Sequence, residues 1–147
     1  MYDAIYARQS VDKQDSISVE SQLSMCEYET RGGAFKKYAD KGYSGKNLYR
    51  PDFERLMEDI KAGLINKIIV KDISRISRNY IQFGEWLDDM RRKNVSVISI
   101  NDGLDTSADL SSPPIRIVLR VVHTDSSINS KISLIMSTLY LYCSQRL

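Results

Sequence analysis

Through roughly its first 105 residues the chain alternates strand-length apolar runs with stripes of helical period, and no other feature restricts the fold as tightly. Residues 3–8, DAIYAR, form the first run. Val19, Leu23 and Cys26 follow at spacings of four and three, in a helix stopped by Gly32 and Gly33. Residues 34–40 are a weaker strand, and residues 41–50, with two glycines, a loop. Pro51 suits the first position of a helix and Asp52 its positive end. Phe53, Leu56, Met57 and Ile60 make that helix's apolar face, and Gly63 ends it. Residues 66–72, NKIIVKD, read as a buried strand. Phe83, Trp86, Leu87 and Met90 stripe a third helix toward the core, closed by Arg91, Arg92 and Lys93 at its negative end. Residues 95–100, VSVISI, are a fourth strand before the turn NDG. Strands separated by helices need crossovers, so the expected class is α/β: a mostly parallel central sheet with helices on both faces. Such sheets place their sites outside the carboxyl ends of the strands.

Residues 1–107 are therefore expected to form one domain, and 108–147 an atypical C-terminal segment. Within it, residues 113–122 fit a helix through Ile115, Val118, Leu119 and Val122, and alternation almost as well through Ile115, Ile117, Leu119 and Val121; helix is the reading adopted. Residues 128–143 are apolar on more than one side, and such a face needs a cover from the domain or from a second subunit. With 42% apolar and 27% charged residues the balance is globular rather than disordered. A net charge of +2 says little about partners, so the clusters matter more: Lys71, Arg75 and Arg78 form one of them. Cys26 and Cys143 are too few for a disulfide framework and lack a metal-binding spacing, which suits a reducing cytoplasm. Met1 leads straight into a strand, so no signal peptide is expected, and no run has the length of a membrane span.

Chemistry-bearing residues gather at the predicted strand ends. The first strand ends in Arg8 and Ser10, the third leads into Asp72, Arg75 and Arg78, the loop after the second carries Arg50, and Gln22 lies one turn into the first helix. Arginine is suited to bidentate phosphate recognition. Several guanidiniums around one hydroxyl suggest phosphoryl transfer, with serine as nucleophile and arginines stabilising charge on the phosphorus oxygens. Arg75 and Arg78 are expected one helical turn apart at the start of a helix, the end that structural arginines avoid and anions prefer. Taken singly, each residue also has an ordinary reading as a cap, loop or surface group, and the lone His123 reads as a surface or core side chain.

The stretches YARQS, GYSG, YRPDFERLMEDIKAG, IIVKDISRISRN and DGLDTS, together with Gln22, resemble in order the catalytic domain of serine recombinases. This is the resolvase and invertase family, and the likeness is nearer its large branch of transposon and phage integrases, over roughly residues 2–107. The resemblance implies a resolvase-like α/β fold and a nucleophile, Ser10, that attacks a DNA phosphodiester and holds the cleaved end as a 5′ phosphoserine. It implies that Arg8, Arg75 and Arg78 are active-site arginines, Arg50 the arginine of a mobile loop, and Gln22 the glutamine of the first helix. It implies double-stranded DNA as partner, a homodimer that becomes a tetramer in the synaptic complex, and neither metal nor nucleotide cofactor. The family pattern has an aspartate directly before the first paired arginine. Here that position is Ser74, and Asp72 is the candidate to take over, or to serve as general base. After residue 107 the family leads into a long charged helix, faintly matched here by SSINSKI, so 108–147 is read as the start of a truncated dimerisation region. Two other readings stand beside this one. A metal-dependent phosphotransfer or receiver-like domain would gather Mg²⁺ on Asp40, Asp72 and Asp102. A truncated, inactive assembly module would only dimerise.

Overall fold

The computed structural model describes residues 1–9, 17–41 and 50–107. The expectations for Ser10, for the loop at 42–49 and for residues 108–147 lie outside the described residues. In chain order the elements are β1 (Tyr2–Gln9), α1 (Val19–Tyr28), β2 (Phe35–Lys41), α2 (Pro51–Lys61), β3 (Ile65–Val70), a 3₁₀ turn (Ile73–Arg75), α3 (Tyr80–Arg92), β4 (Ser96–Ser99) and β5 (Leu104–Asp105). The sheet order is β2-β1-β3-β4-β5. Its first four strands are parallel, and β5 runs antiparallel to β4. The two-residue β5 is too short to leave a periodic signal and was not anticipated.

Strand order and handedness together put helices on both faces. From β1 the chain crosses to β2 on one side, then returns over β1 to β3 on the other. Right-handed crossovers then require α1 on one face and α2 and α3 on the opposite one. The packing agrees. Ile5 and Tyr6, adjacent in β1, point to opposite faces. Ile5 packs with Cys26 of α1 and with Ile69, flanked by Leu23, Phe35, Ile98 and Ile100. Tyr6 lies 5.3 Å from the Phe53 ring of α2, which lies 6.4 Å from Trp86 of α3. Burial pushes the Cys26 thiol up to about 12, aided by the charges of Asp72 and Glu29, so this cysteine is an inert core residue.

Local sequence sets the helix ends. Ser18 and Asn79 cap α1 and α3, accepting from the amides of Ser21 and of Ile81 and Gln82. Helix α2 ends with Gly63 at φ +71°, its N–H on Ile60 O and the Leu64 N–H on Asp59 O. Arg92 pairs with Asp88 and Lys93 with Asp89, so that basic run finishes α3 as expected. One expectation needs correction. Arg75 and Arg78 do not begin a helix: Arg75 closes the 3₁₀ turn, and α3 starts only at Tyr80. Asn79 accepts the first free amides of α3, so the turn before it is left to carry the arginines.

Ile69 is fully buried between α1 and the sheet centre. Ile69→Ala should cost about 3 kcal/mol in chemical denaturation, whereas Met25→Ala, on an exposed helix position, should change stability by less than about 0.5 kcal/mol.

Candidate active site

Pairing between β1 and β3 ends at Tyr6↔Val70, while β1 continues beside β2 to Gln9↔Lys41. A crevice therefore opens where β3 turns away, between two parallel strands whose crossovers leave to opposite faces. Doubly wound sheets bind ligands at such a switch point.

Arginine side chains bridge this crevice. Arg8 is 9% exposed and donates through Nη2 to the Ser74 carbonyl at 3.1 Å. Arg75 donates through Nη1 to the Arg8 carbonyl at 2.6 Å. Its Nε and Nη2 each lie 3.3 Å from Asp72 Oδ2. Arg50 donates to the carbonyls of Ile76 and Arg75, both at 2.7 Å, and to the Tyr6 hydroxyl through Nε and Nη2 at 3.0 and 2.8 Å. Its guanidinium also stacks 4.1 Å from the Phe53 ring centre. Arg78 is exposed. Among the described residues no carboxylate pairs with Arg8, Arg50 or Arg78. The electrostatic consequence shows at Arg8: burial first, then the charge of Arg50, with lesser contributions from Arg78 and Arg75, hold its guanidinium below its ordinary pKa against an opposing effect of Tyr6.

Gln22, expected on a helix surface or as a ligand contact, is fully buried. Its Nε2 donates to Arg8 O at 3.2 Å and Ile17 O at 2.8 Å, so one amide ties together the chain before and after residues 10–16. The structure thus brings Arg8, Gln22, Arg50, Asp72 and Arg75 together, with Arg78 close enough to depress Arg8.

The three carboxylates considered for Mg²⁺ are each committed elsewhere. Asp40 caps α2, accepting from the amides of Asp52 and Phe53 at 3.0 and 3.2 Å and from the Tyr6 hydroxyl at 2.8 Å. Asp102 accepts from the Ile73 amide at 2.7 Å and from Ser99 Oγ, clasping the 3₁₀ turn to the end of β4. Asp72 holds Arg75, accepts from Ser74 Oγ and lies 3.5 Å from Lys71 Nζ. Among the described residues no three acidic, histidine or cysteine side chains converge as a cation cage. Tyr6 and the capping role of Asp40 escaped the sequence reading. The available signal was period two: Tyr6 shares a strand face with Arg8, and Asp40 is the sheet partner of Arg8.

The family described as "Resolvase, N terminal domain" matches residues 4–132. The chain belongs to this family. A protein of Bacillus subtilis (strain 168) named "Putative DNA recombinase" is 37% identical over 100 residues, covering 67% of this chain; the chain spans 20% of that relative's length. The N-terminal catalytic domain of TP901-1 integrase matches with a TM-score of 0.66 at 27% identity, over 90% of this chain and 97% of that one. A resolvase family site-specific recombinase from Streptococcus pneumoniae shares the fold, with a TM-score of 0.57 at 24% identity over 99% and 98% of the two chains. This serine recombinase catalytic domain accordingly has the mostly parallel five-stranded sheet of its relatives.

Burial works against charge on Asp72, but the Ser74 hydrogen bond and the charges of Arg75 and Lys71 outweigh it, and the carboxyl sits below its ordinary pKa. A depressed folded-state pKa stabilises the fold above the unfolded value, about 3.9, and that stability is lost as pH falls through the folded value. Asp72→Asn should therefore cost about 2 kcal/mol near pH 7, and the gap to the parent should close below about pH 4, as followed by denaturation across pH.

Proposed function

We propose that this domain cleaves and rejoins double-stranded DNA through Ser10. The Ser10 oxygen bonds to phosphorus as it loses its proton, the bond from phosphorus to the 3′ oxygen breaks, and that oxygen takes up a proton to leave a free 3′ hydroxyl. The 5′ end stays on the protein as a phosphoserine, and rejoining runs the same steps in reverse after strand exchange. Transesterification conserves the number of phosphoester bonds, so no external energy source enters. The observation that carries this reading is the guanidinium cluster at the switch point, where Arg8 and Arg78 have no carboxylate partner among the described residues. A phosphodiester with its developing charge supplies the missing anion.

Roles divide by which donors remain. A guanidinium has five N–H donors. Arg8 and Arg78 keep most of theirs for the phosphate, and Arg75 keeps one on each terminal nitrogen. Asp72 orients Arg75 rather than acting as general base. A base works best with a pKa near the working pH, and this carboxyl is displaced the other way. Gln22 anchors the strand end that leads to Ser10. Assembly as a homodimer, and as a tetramer in the synaptic complex, belongs to the same proposal.

The test uses duplexes of randomised sequence with 3′-bridging phosphorothiolate linkages, whose sulfur leaving group disfavours rejoining and traps the adduct. The chain should form a covalent complex that maps to Ser10, in buffer containing EDTA. Ser10→Ala should form none, and an adduct on that variant would remove Ser10 as the nucleophile. Arg75→Lys should lose nearly as much rate as Arg75→Ala, about a hundredfold, because lysine keeps the charge but not the planar fork.

A further inference from the structure

We infer that Tyr6 is a positioning residue of this site: its buried hydroxyl sets the Arg50 guanidinium, which in turn holds the turn presenting Arg75 and Arg78. The inference rests on the DNA-cleaving reading above for its consequence, but its geometry stands apart from that reading.

Tyr6 is fully buried in the middle of β1. Its single proton goes to Asp40 Oδ2 at 2.8 Å, which leaves the oxygen lone pairs to accept from Arg50 Nε and Nη2. That polarity is enforced. Asp40 already accepts two backbone amides at the start of α2, and a carboxylate offers no proton in return. Burial, against the Arg50 charge, raises the phenol well above its ordinary pKa and keeps it protonated. An unbroken chain of hydrogen bonds thus runs from the α2 N-terminus through Asp40 and Tyr6 to Arg50, and on to the carbonyls of residues 75 and 76.

Arg50 spends four of its five N–H donors in this way, and its face is covered by Phe53. It is placed as a brace, not as a phosphate clamp. The carbonyls it holds belong to Arg75 and to Ile76, two residues before Arg78, so any slack in Arg50 passes directly to the clamping arginines. Tyr6→Phe keeps the ring, which packs on Phe53, and removes only the hydroxyl.

Two measurements test this. First, exchange of the Arg50 Nε proton is followed by NMR in the 147-residue chain, without DNA. Slow exchange in the parent that becomes fast in Tyr6→Phe is expected. Fast exchange in the parent, or slow exchange kept in the variant, overturns the inference; the parent arm decides even if the variant does not fold. Second, adduct formation on the phosphorothiolate duplexes is timed for the parent, Tyr6→Phe, Arg50→Ala and the double variant. Tyr6→Phe should slow the parent about tenfold or more, the scale of hydrogen bonds to a charged group, yet add nothing once Arg50 is gone. A purely structural tyrosine would cost the same factor in both backgrounds, and that outcome also overturns the inference. Absence of any adduct with the parent would instead sink the DNA-cleaving reading, and the exchange measurement would still decide the role of Tyr6.

Discussion

Two hydrogen bonds running in opposite directions join the end of β1 to the turn after β3: Arg8 Nη2 to the Ser74 carbonyl, and Arg75 Nη1 to the Arg8 carbonyl. They lie beyond the last backbone pair of these strands, where the ladder can no longer hold the two segments together. Side chains take over from the ladder at the point where the sheet opens. The Arg8 carbonyl also receives Gln22, so the last turn of structure before Ser10 is held from α1 and from the 3₁₀ turn at once. The site is thus built on main-chain acceptors, and the guanidiniums act as structural struts before they act on any ligand.

Carboxylates are distributed accordingly. A doubly wound sheet delivers acids to its carboxyl edge readily, and here three arrive, yet each is aimed at protein. Asp40 closes the start of α2, Asp102 clasps the 3₁₀ turn to β4, and Asp72 steadies Arg75. Ser74 donates its hydroxyl to Asp72 and its carbonyl serves Arg8, so the acid two residues earlier reaches the arginine through the tight 3₁₀ geometry.

The strands and helices were legible because each obeys one period. Leu56 and Ile60 are buried on α2, and Phe83, Leu87 and Met90 on α3, where the 3.6-residue stripe put them. The gathering of Arg8, Arg50, Asp72, Arg75 and Gln22 followed from strand order, since the carboxyl ends of β1 and β3 are neighbours. What was hidden has a common cause. A guanidinium bonded to a carbonyl leaves no mark in a sequence, because every residue carries the acceptor. Hence the bonds of Arg50 to Tyr6 and to residues 75 and 76 could not be read from the sequence. The 3₁₀ turn was hidden too: three residues cannot display a period, and Arg75 and Arg78 sit three apart whether the chain is helical or merely turning.

The same struts suggest how an anion would be received. Carbonyls are neutral acceptors, so an anion in the crevice would add a Coulomb attraction that the guanidinium–carbonyl bonds lack. Arg8, held below its ordinary pKa by burial and by neighbouring guanidiniums, would gain from a nearby negative charge. A phosphodiester in the crevice would relieve that repulsion in proportion to the charge it carries, and it carries most in the transition state. Arg50 would gain little, because its donors are spent and its face is stacked. On the proposed reading the cluster would divide into arginines with donors left for an anion and Arg50, whose donors are spent on Tyr6 and the turn after β3.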